Sequence, residues 1–327
     1  MLDLCRASSS NEQPRVPKEK WMKDLVMSLL EGKNAVVTGG GRGIGKAAAL
    51  LFAKNGANVA IVSRSQAELD ATVIDIESHY VRGLAIVADL GTEQGPPSVA
   101  SSFFDHFDRC DILVNNAGMS HYTTVAEWPV EDVKRLFDLN ILGTYLMCKE
   151  FAHRMVEQGA GKIIMVSSVM GNTVFAPKHV AYCASKAAVA AMGRSLQAEL
   201  GRAVQVNVIL PGLIKTKLVL DMAPAGYPVN DPMEPEAIAP AFLFLASDLS
   251  NRATGRLIDL SDVLQVMERV RTETSMLGSP GPDKLKDLVK TMKLTPDLRA
   301  TFKENKDLID FWLDIDASGD IGCPGRE

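Results

Sequence analysis

A glycine-rich run directly after the first apolar segment restricts the fold more than any other feature of the sequence. It reads Gly-Gly-Gly-Arg-Gly-Ile-Gly over Gly39–Gly45, and a segment of helical periodicity follows without a break. Glycine permits a tight strand-to-helix turn and close approach of the backbone to a phosphate. Free N–H groups at the start of the next helix favour an anion there. The run therefore predicts a βα unit that binds a dinucleotide; a merely flexible connection is the alternative.

Short apolar runs alternate with helical segments from residue 34 onward. This alternation is typical of βαβ units, whose strands form a parallel sheet. The expected strands are Ala35–Val37, Val59–Val62, Leu84–Val87, Ile112–Val114, Ile163–Val166, Val204–Leu210 and Leu257–Leu260. The expected helices are Gly43–Lys54, Gln66–Ser78, Val130–Glu157, Ala181–Leu200 and Glu236–Ala246. The pattern predicts an α/β protein with a doubly wound, seven-stranded parallel sheet, the Rossmann fold.

Both ends of the chain depart from this alternation. Residues 1–30 are polar and contain prolines and a lysine cluster, so we expect a tail there. Residues 31–262 are the expected Rossmann domain. Residues 263–327 carry no strand pattern, and their amphipathic stretches predict a helical C-terminal extension. Those stretches are Val263–Arg271, Lys284–Lys293 and Pro296–Leu313.

Charge and cysteine usage exclude several classes of function. A net charge of -5 provides no positive field for nucleic acid or an anionic membrane. The apolar stretch Leu25–Leu30 is too short to span a bilayer or to form the core of a signal peptide. The five cysteines are scattered and lack C-x-x-C spacing. We therefore expect reduced thiols, no metal site and a cytoplasmic location.

The residues after the second expected strand predict which dinucleotide binds. An NAD-binding turn usually places an acidic residue there for the ribose 2′-hydroxyl, whereas this chain has Ser63 and Arg64. Arg64 and Arg42 could instead hold a 2′-phosphate through charge-assisted hydrogen bonds. We therefore expect NADP(H) as the cofactor. The alternative is that both arginines are solvated surface residues.

Tyr182 and Lys186 lie four residues apart in a segment that reads as helical, so their side chains share one helix face. A free phenol has a pKa of about 10, and a neighbouring cation stabilises the phenolate. We therefore expect Lys186 to lower the pKa of Tyr182, which makes the phenol a proton donor or acceptor at neutral pH. This spacing is common by chance on helices, so its weight depends on the neighbouring motifs.

Polar residues at two other places complete the candidate site. Ser167 and Ser168 end the fifth expected strand, and either could donate a hydrogen bond to a substrate oxygen. We favour Ser168 because an x-x-Gly turn follows it; an ordinary strand-end turn serine is the alternative. Asn140 lies inside a long expected helix, where its side chain competes for backbone hydrogen bonds. That local misfit suits a water-binding site, although a satisfied buried asparagine would look the same.

The order of these motifs from Thr38 to Thr216 resembles that of the short-chain dehydrogenase/reductase family, over residues 31–260. The resemblance implies an NADP-dependent oxidoreductase that transfers hydride between the nicotinamide and a carbonyl or secondary alcohol, with residues 31–262 as its NADP-binding catalytic domain. The implied catalytic residues are Ser168, Tyr182, Lys186 and Asn140. The implied cofactor-binding residues are Gly39, Gly41, Arg42, Gly43, Ile44, Gly45, Ser63, Arg64, Asp89, Leu90, Asn116, Ala117, Gly118, Tyr182, Lys186, Pro211, Gly212, Ile214 and Thr216.

The resemblance also implies a small-molecule substrate and a homo-oligomer, either a dimer or a tetramer. The candidate substrate walls are mostly apolar and predict a hydrophobic carbonyl compound, with His179 at the rim or surface. They comprise Met170, Phe175, His179, Leu213, Leu218 and Val219. A non-catalytic NADP-binding regulator or an interaction protein on the same fold is the alternative. Asp314–Ile321 resembles part of a calcium loop, but Gly325 replaces its final glutamate, so we expect a solvated acidic tail.

Overall fold

The computed structural model describes residues 29–265, 300–301 and 303–318 of the 327-residue chain. The strands in these ranges are β1 (Asn34–Thr38), β2 (Asn58–Ser63), β3 (Gly83–Val87), β4 (Ile112–Asn115), β5 (Gly161–Val166), β6 (Val204–Leu210) and β7 (Leu257–Asp259). The α-helices are α1 (Gly43–Lys54), α2 (Gln66–Glu77), α3 (Gly95–His106), α4 (Val130–Phe137), α5 (Thr144–Glu157), α6 (Val180–Leu200), α7 (Lys217–Leu220), α8 (Ala239–Ala246) and α9 (Lys306–Ser318). Within these ranges we find no helix with the length and hydropathy that a membrane span needs.

The seven described strands form one parallel sheet in the order β3-β2-β1-β4-β5-β6-β7. The chain first builds outward from β1 to β3 and then outward from β4 to β7. This reversal is the doubly wound topology of the Rossmann fold, as the sequence predicts. All seven expected strands are confirmed, with boundaries within two residues of those observed.

Helices cover both faces of the sheet, so alternate residues of each strand enter different cores. In β1, Ala35 and Val37 pack in the core that contains α1, α2 and α8. Val36 packs on the opposite face, in the core of α3, α5 and α6. Burial on both faces explains why the strands read as continuous apolar runs in the sequence rather than as an alternating pattern.

Four helical regions differ from the prediction. Helix α7 was not predicted, and the expected helix Glu236–Ala246 begins as a 3-10 turn, Pro235–Ile238, before α8. Helix α3 was missing from the prediction; Pro96 and Pro97 lie in its first turn, where a missing N–H breaks no helical hydrogen bond. The expected continuous helix Val130–Glu157 is divided into α4 and α5 by a π-helical segment, Asp138–Gly143. Such π-helical turns are rare and occur often at functional sites.

Part of the C-terminal extension packs onto the Rossmann core. Leu308, Ile309 and Trp312 of α9 join the core that contains α8, and Trp312 is only 1% exposed. Arg256, just before β7, donates two hydrogen bonds to the Asp307 carboxylate, at 2.8 and 3.1 Å. The expected helix Pro296–Leu313 is therefore observed in part. The expected stretch Val263–Arg271 is described only at residues 263–265, which are helical. Residues 284–293, the tail before residue 29 and residues 319–321 lie outside the described residues.

Candidate active site

A cleft of about 750 Å³ opens at the carboxyl ends of the strands, where the strand order reverses between β1 and β4. Doubly wound proteins bind ligands at this place because loops from the two halves of the sheet diverge there. One end of the cleft is lined by Arg42 and Arg64, and the other by Tyr182 and Met222. The motifs predicted from sequence therefore surround one elongated space.

The glycine-rich turn forms one side of this cleft and is shaped for close backbone contact. Gly39 has a φ of +67°, a region that glycine adopts at little cost. A Cβ on Gly45 would lie 2.4 Å from the Gly39 carbonyl oxygen, so the turn has no room for a side chain there. Helix α1 begins at Gly43 with no acidic residue in its first turn. Its free N–H groups and the open backbone fit the diphosphate of a dinucleotide.

Hydrogen bonds of Thr38 connect the loop after β4 to the glycine-rich turn. The Thr38 hydroxyl accepts hydrogen bonds from the backbone N–H groups of Asn116 and Ala117, both at 2.9 Å, and donates to the Val114 carbonyl at 3.2 Å. The Asn116 side chain donates to the Thr38 carbonyl at 2.8 Å. These bonds fix the two halves of the sheet at the point where the cleft opens, and Gly118 continues the same wall.

The predicted 2′-phosphate residues line the far end of the cleft but already have partners. Arg42 forms an ion pair with Glu68 at 2.8 Å, and Arg64 lies 4.0 Å from Asp89. Both arginine side chains remain more than half exposed, at 53% and 57%, so these pairs are weak. Sequence reasoning missed Glu68, whose position in the first turn of α2 places it over the glycine turn. Ser63 and Leu90 also line this end.

Tyr182 and Lys186 lie on the same face of α6, as their spacing predicts. The Lys186 Nζ is 5.8 Å from the centroid of the Tyr182 ring and donates a hydrogen bond to the Val166 carbonyl at 2.9 Å. Both residues line the cleft beside the end of β5. The cleft thus brings a phenol and an amine to the side opposite the glycine turn.

The pKa values of this pair differ from the prediction. Burial raises the pKa of Tyr182 to about 12, and interaction with the Ser168 side chain opposes the rise. Burial lowers the pKa of Lys186 to about 8. The expected acidification of the phenol by Lys186 is therefore wrong: desolvation dominates the pKa of Tyr182, and the hydrogen bond with Ser168 is what lowers it. The phenol is protonated at neutral pH, which is the state that a proton donor requires.

The two serines at the end of β5 have different surroundings. The Ser167 hydroxyl donates to the Lys186 carbonyl at 2.6 Å and accepts from Asn172 at 3.1 Å, which ties β5 to α6. Ser168 accepts a hydrogen bond from the Met170 N–H at 3.1 Å and interacts with Tyr182. The geometry therefore supports the choice of Ser168 as the serine that could contact a substrate oxygen.

Asn140 lies in the π-helical segment and is buried. Its side-chain oxygen accepts from the Met119 N–H at 2.9 Å, and its side-chain nitrogen donates to the Met119 carbonyl at 2.9 Å and to Ser185 at 3.0 Å. A Cβ added at Gly118 would lie 3.2 Å from Asn140 Oδ1 and 3.5 Å from Lys186 Nζ. Both atoms therefore border one small space in which a water molecule could bridge them.

The loop after β6 forms the remaining wall on the predicted nicotinamide side. Pro211, Gly212, Ile214 and Thr216 all line the cleft, as expected. The Thr216 side chain would lie 3.1 Å from a Cβ on Gly43, so this loop closely approaches the glycine turn. The structure thus brings every predicted cofactor-binding position except Gly45 to the cleft lining, and Gly45 lies beneath it against Gly39.

The substrate walls differ most from the prediction. Leu218 and Val219 line the cleft, but Met170, Phe175 and Leu213 do not. His179 is not a rim or surface residue: it is fully buried, with its ring 6.1 Å from that of Tyr182. The aromatic residues around His179 were not predicted from the sequence. The signal that could have drawn attention to this region was the position of His179 one helical turn before Tyr182. Those missed residues are His121, Tyr122 and Tyr227.

The family model described as short chain dehydrogenase matches residues 33–225, which include the glycine turn, the loop after β4, Ser168, Tyr182, Lys186 and the loop after β6. This match covers more than half of the chain. The chain belongs to the short-chain dehydrogenase family. Members of this family bind a nicotinamide cofactor and act as oxidoreductases, which agrees with the cleft described above.

Several relatives of this short-chain dehydrogenase share almost their whole length with it. L-rhamnose 1-dehydrogenase (NAD(P)(+)) of Sphingomonas sp. (strain SKA58) is 33% identical over 240 residues, which cover 70% of this chain and 94% of the relative. A short-chain type dehydrogenase/reductase from Mycobacterium marinum is 31% identical with a TM-score of 0.67, covering 72% of this chain and 96% of that one. L-sorbose reductase from Gluconobacter frateurii, solved with NADPH and L-sorbose, is 28% identical with a TM-score of 0.65, covering 71% and 96%.

We expect the buried Lys186 to make the stability of this short-chain dehydrogenase depend on pH. Its pKa is about 8 in the folded protein, below its ordinary value in the unfolded chain, so the unfolded chain binds more protons in alkaline solution. The contribution of Lys186 to stability therefore rises from about pH 8 to about pH 10, with a slope approaching 1.4 kcal/mol per pH unit. The thiols of Cys110 and Cys148 and the phenol of Tyr182, whose pKa values burial raises, oppose this rise from about pH 9, so the contribution is measured as a difference from a variant that lacks Lys186. Urea unfolding across this range measures the slope.

The matched variant for this measurement is Lys186→Met, which keeps the length of the side chain and removes the charge. Lys162, whose pKa burial also lowers to about 8, contributes equally to both proteins and cancels in the comparison. We expect the variant to be more stable than the wild type below about pH 8 and to lose this advantage as pH rises. If the free energy of unfolding changed with pH by the same amount in both proteins, Lys186 would not be buried as a cation.

Proposed function

We propose that this short-chain dehydrogenase is an NADP(H)-dependent oxidoreductase that interconverts a carbonyl compound and the corresponding secondary alcohol. The observation that carries the proposal is the convergence of Ser168, Tyr182 and Lys186 on one wall of the cleft whose other wall is the glycine turn. This arrangement places a proton donor opposite a dinucleotide site, which is what carbonyl reduction requires. None of these residues is diagnostic alone.

Ser168 and Tyr182 act on the substrate oxygen in this proposal. The Ser168 hydroxyl donates a hydrogen bond to the oxygen as negative charge develops on it. Tyr182 then donates its proton to the same oxygen during reduction and takes a proton from the hydroxyl during oxidation. The raised pKa of about 12 keeps the phenol protonated in the ligand-free protein, so the donor is ready before the substrate arrives.

Lys186 and Asn140 act on the phenol of Tyr182 in this proposal, and not on the substrate oxygen. The Lys186 ammonium, near the Tyr182 ring, stabilises the phenolate that remains after proton donation. Asn140 holds the loop at Met119 through two hydrogen bonds and borders the space beside Lys186. A water molecule in that space would connect Lys186 to Asn140 and allow the proton on Tyr182 to be replaced. The π-helical turn is what places Asn140 within reach.

The cofactor-binding residues divide into three groups. The turn at Gly39–Gly45 and the N-terminus of α1 hold the diphosphate, and Arg42, Ser63 and Arg64 hold the 2′-phosphate. The loop from Pro211 to Thr216 holds the nicotinamide amide, while Tyr182 and Lys186 contact its ribose. When bound, the cofactor supplies or accepts the hydride. The NADPH present in the L-sorbose reductase structure supports this choice of dinucleotide.

We expect the double variant Arg42→Ala, Arg64→Ala to raise the Kd for NADPH by about 10- to 100-fold. The variant removes two charge-assisted hydrogen bonds to the 2′-phosphate, each of which contributes about 1.5–3 kcal/mol to binding. The net loss is smaller, because each arginine must first leave its ion pair with Glu68 or Asp89. NADH has no 2′-phosphate, so its Kd should change little. Fluorescence titration of both cofactors measures the two constants.

The control for the arginine prediction is Arg202→Ala, which removes an exposed arginine from the turn between α6 and β6, outside the cleft lining. Its affinity for both cofactors should equal that of the wild type. An equal loss of NADPH and NADH affinity in the double variant would mean that the arginines contribute general electrostatic attraction rather than recognition of the 2′-phosphate. No loss at all would make both arginines solvated surface residues.

The proposed activity is tested with purified protein, NADPH and a panel of ketones, aldehydes and hydroxyketones, followed by the absorbance of the reduced nicotinamide. The reverse panel uses NADP⁺ and secondary alcohols or polyols. We expect substrate-dependent oxidation of NADPH. NADPH binding without turnover of any panel member would favour the alternative function, a non-catalytic NADP-binding regulator.

The homo-oligomer expected from the resemblance stays a prediction. Val130, Tyr145 and Val156 are large apolar side chains that α4 and α5 expose. Burial of such side chains between copies of the chain would remove apolar surface from water. We propose a dimer through these helices.

A further inference from the structure

The two arginines at the far end of the cleft are each paired with a carboxylate that a bound cofactor would also meet. Arg42 donates a hydrogen bond to the Glu68 carboxylate at 2.8 Å, and Arg64 lies 4.0 Å from Asp89. All four residues line the cleft, and together their side chains carry no net charge. A phosphate monoester carries a charge of about −1.5 to −2 near pH 7. The 2′-phosphate of NADPH therefore meets a neutral group of side chains rather than a positive pocket.

The backbone of Glu68 is fixed against the glycine-rich turn. Its N–H donates to the hydroxyl of Ser65, the N-cap of α2, at 3.4 Å. The Thr72 hydroxyl lies within hydrogen-bond distance of the Glu68 carbonyl, at 2.9 Å, and of the Gly41 carbonyl, at 3.2 Å. A Cβ on Gly41 would lie 3.1 Å from the Glu68 Cβ. The Glu68 carboxylate can therefore move only by rotation of its own side chain.

Glu68 is bound more closely to its arginine than Asp89 is. The Arg42–Glu68 pair is 2.8 Å long, against 4.0 Å for the Arg64–Asp89 pair, and Glu68 is the less exposed of the two carboxylates. Asp89 instead accepts a hydrogen bond from the Gly91 N–H at 3.0 Å. The position of Glu68 in the first turn of α2 also favours its negative charge, because the helix dipole is positive there. Glu68 is thus the carboxylate that a 2′-phosphate must displace.

Glu68 also supplies an acidic group that the sequence lacks directly after β2. An NAD-binding turn usually has an acidic residue there for the ribose 2′-hydroxyl, whereas this chain has Ser63 and Arg64. The Ser63 hydroxyl and the Glu68 Cβ both lie within 3.4 Å of the position that a Cβ on Gly41 would take. A carboxylate at this place can accept a hydrogen bond from a 2′-hydroxyl. The absence of an acidic residue at positions 63 and 64 therefore does not exclude NADH.

We propose that Glu68 is a specificity-determining residue that lowers the preference of this site for NADPH over NADH. The inference rests on the proposed function and concerns the selectivity of its cofactor site. When NADPH binds, Arg42 must leave Glu68 to meet the 2′-phosphate, and the carboxylate repels the phosphate at short range. When NADH binds, the ion pair remains, and the carboxylate accepts a hydrogen bond from the 2′-hydroxyl.

The test is Glu68→Gln, which removes the charge and keeps the length of the side chain. Its Kd for NADPH should be about 5- to 30-fold lower than that of the wild type, because Arg42 is released and the repulsion is removed. Its Kd for NADH should be no lower than that of the wild type, since a neutral amide is a weaker acceptor than a carboxylate. Fluorescence titration measures both constants. Glu68→Ala, which has no amide to donate to the phosphate, should change them in the same directions.

The matched control is Glu77→Gln, the same chemical change at the last residue of α2. Glu77 is exposed and lies outside the cleft lining. It is nine residues from Glu68, or about 13 Å along the helix, which exceeds the screening length of about 8 Å at physiological ionic strength. Both constants of this control should equal those of the wild type.

Fragments of the cofactor separate this end of the cleft from the proposed catalytic residues. Adenosine 2′,5′-bisphosphate and adenosine 5′-monophosphate differ by the 2′-phosphate alone, and neither contains a nicotinamide. In calorimetric titrations, Glu68→Gln should bind the bisphosphate about 5- to 30-fold more tightly than the wild type does, and the monophosphate no more tightly. The bisphosphate should also raise the Tm of Glu68→Gln more than that of the wild type.

The outcomes distinguish this inference from the proposed function. If the ratio of the NADH and NADPH constants were unchanged in Glu68→Gln, or if both cofactors bound more tightly by the same factor, the role of Glu68 would be overturned and the proposed activity would stand. If the ratio changed as expected but NADPH reduced no carbonyl compound, the role of Glu68 would be supported and the proposed activity overturned. Binding of neither dinucleotide and neither fragment, in the wild type and in the variants, would overturn both.

Discussion

Replacing Tyr182 by phenylalanine lowers kcat for carbonyl reduction by about 100- to 10,000-fold, the range that a positioned general acid contributes. The substitution removes only the hydroxyl, so the ring still fills its partly buried place near Ser168 and His179. The binding of NADPH should remain measurable, because the glycine turn and the arginines are untouched. Steady-state kinetics and a cofactor titration on the same preparation measure both quantities.

The control for this prediction is Tyr80→Phe, the same chemical change at a fully exposed position. Its turnover should equal that of the wild type. If Tyr182→Phe retained wild-type turnover, the phenol would not be the proton donor. The convergence of Ser168, Tyr182 and Lys186 on the cleft would then need another explanation. A loss of NADPH binding equal to the loss of turnover would make Tyr182 a cofactor-binding residue only.

Truncating Trp312 to alanine should lower the free energy of unfolding by about 3–5 kcal/mol, the range measured when large aromatic side chains are removed from cores. Trp312 is among the largest fully buried side chains of the described residues, and Leu308 and Ile309 of the same helix join its core. The prediction concerns a segment outside the matched family region, residues 33–225. Urea or thermal unfolding measures it.

The matched control for Trp312→Ala is Ile74→Ala, which removes an apolar side chain that α2 exposes to solvent. Its effect should lie within about 0.5 kcal/mol of zero. If the two variants unfolded alike, α9 would not be part of the folded core. Asp307→Asn, which weakens the partly exposed pair with Arg256, should cost at most about 1 kcal/mol.

The sheet could be predicted from the sequence because burial on both faces leaves a simple signature. Runs such as Val59–Val62 and Val204–Leu210 are long enough to cross the sheet and are bounded by turn residues. Helix α1 was predicted with its observed ends, since the glycine turn starts it and Asn55-Gly56 stops it. Local signals sufficed wherever the chain enters or leaves a regular element.

Tertiary contacts decided what the sequence could not show. Helix α3 was missing from the prediction, and it is stabilised by the packing of Phe103 in the core. The π-helical turn at Asn140 depends on hydrogen bonds to Met119 and Ser185, which are distant in sequence. Such contacts leave no periodic pattern along the chain.

The chemistry of the site was predicted in part. The positions of Ser168, Tyr182 and Lys186 followed from motif spacing, but the direction of the phenol pKa did not, because it depends on how deeply the pair is buried. His179 was misplaced for the same reason. A lone histidine in a sequence gives no sign of burial, and its four aromatic neighbours come from three separate segments of the chain.

Isotope transfer tests the central claim most directly. NADPH that carries deuterium in place of both hydrogens at C4 of the nicotinamide is incubated with the enzyme and a reducible member of the carbonyl panel, and the alcohol is analysed by mass spectrometry and NMR. Direct hydride transfer at this site predicts an alcohol with deuterium on the former carbonyl carbon, and at least about 100-fold less of it from Tyr182→Phe over the same time. An alcohol without deuterium, or no alcohol from any panel member, would contradict the account.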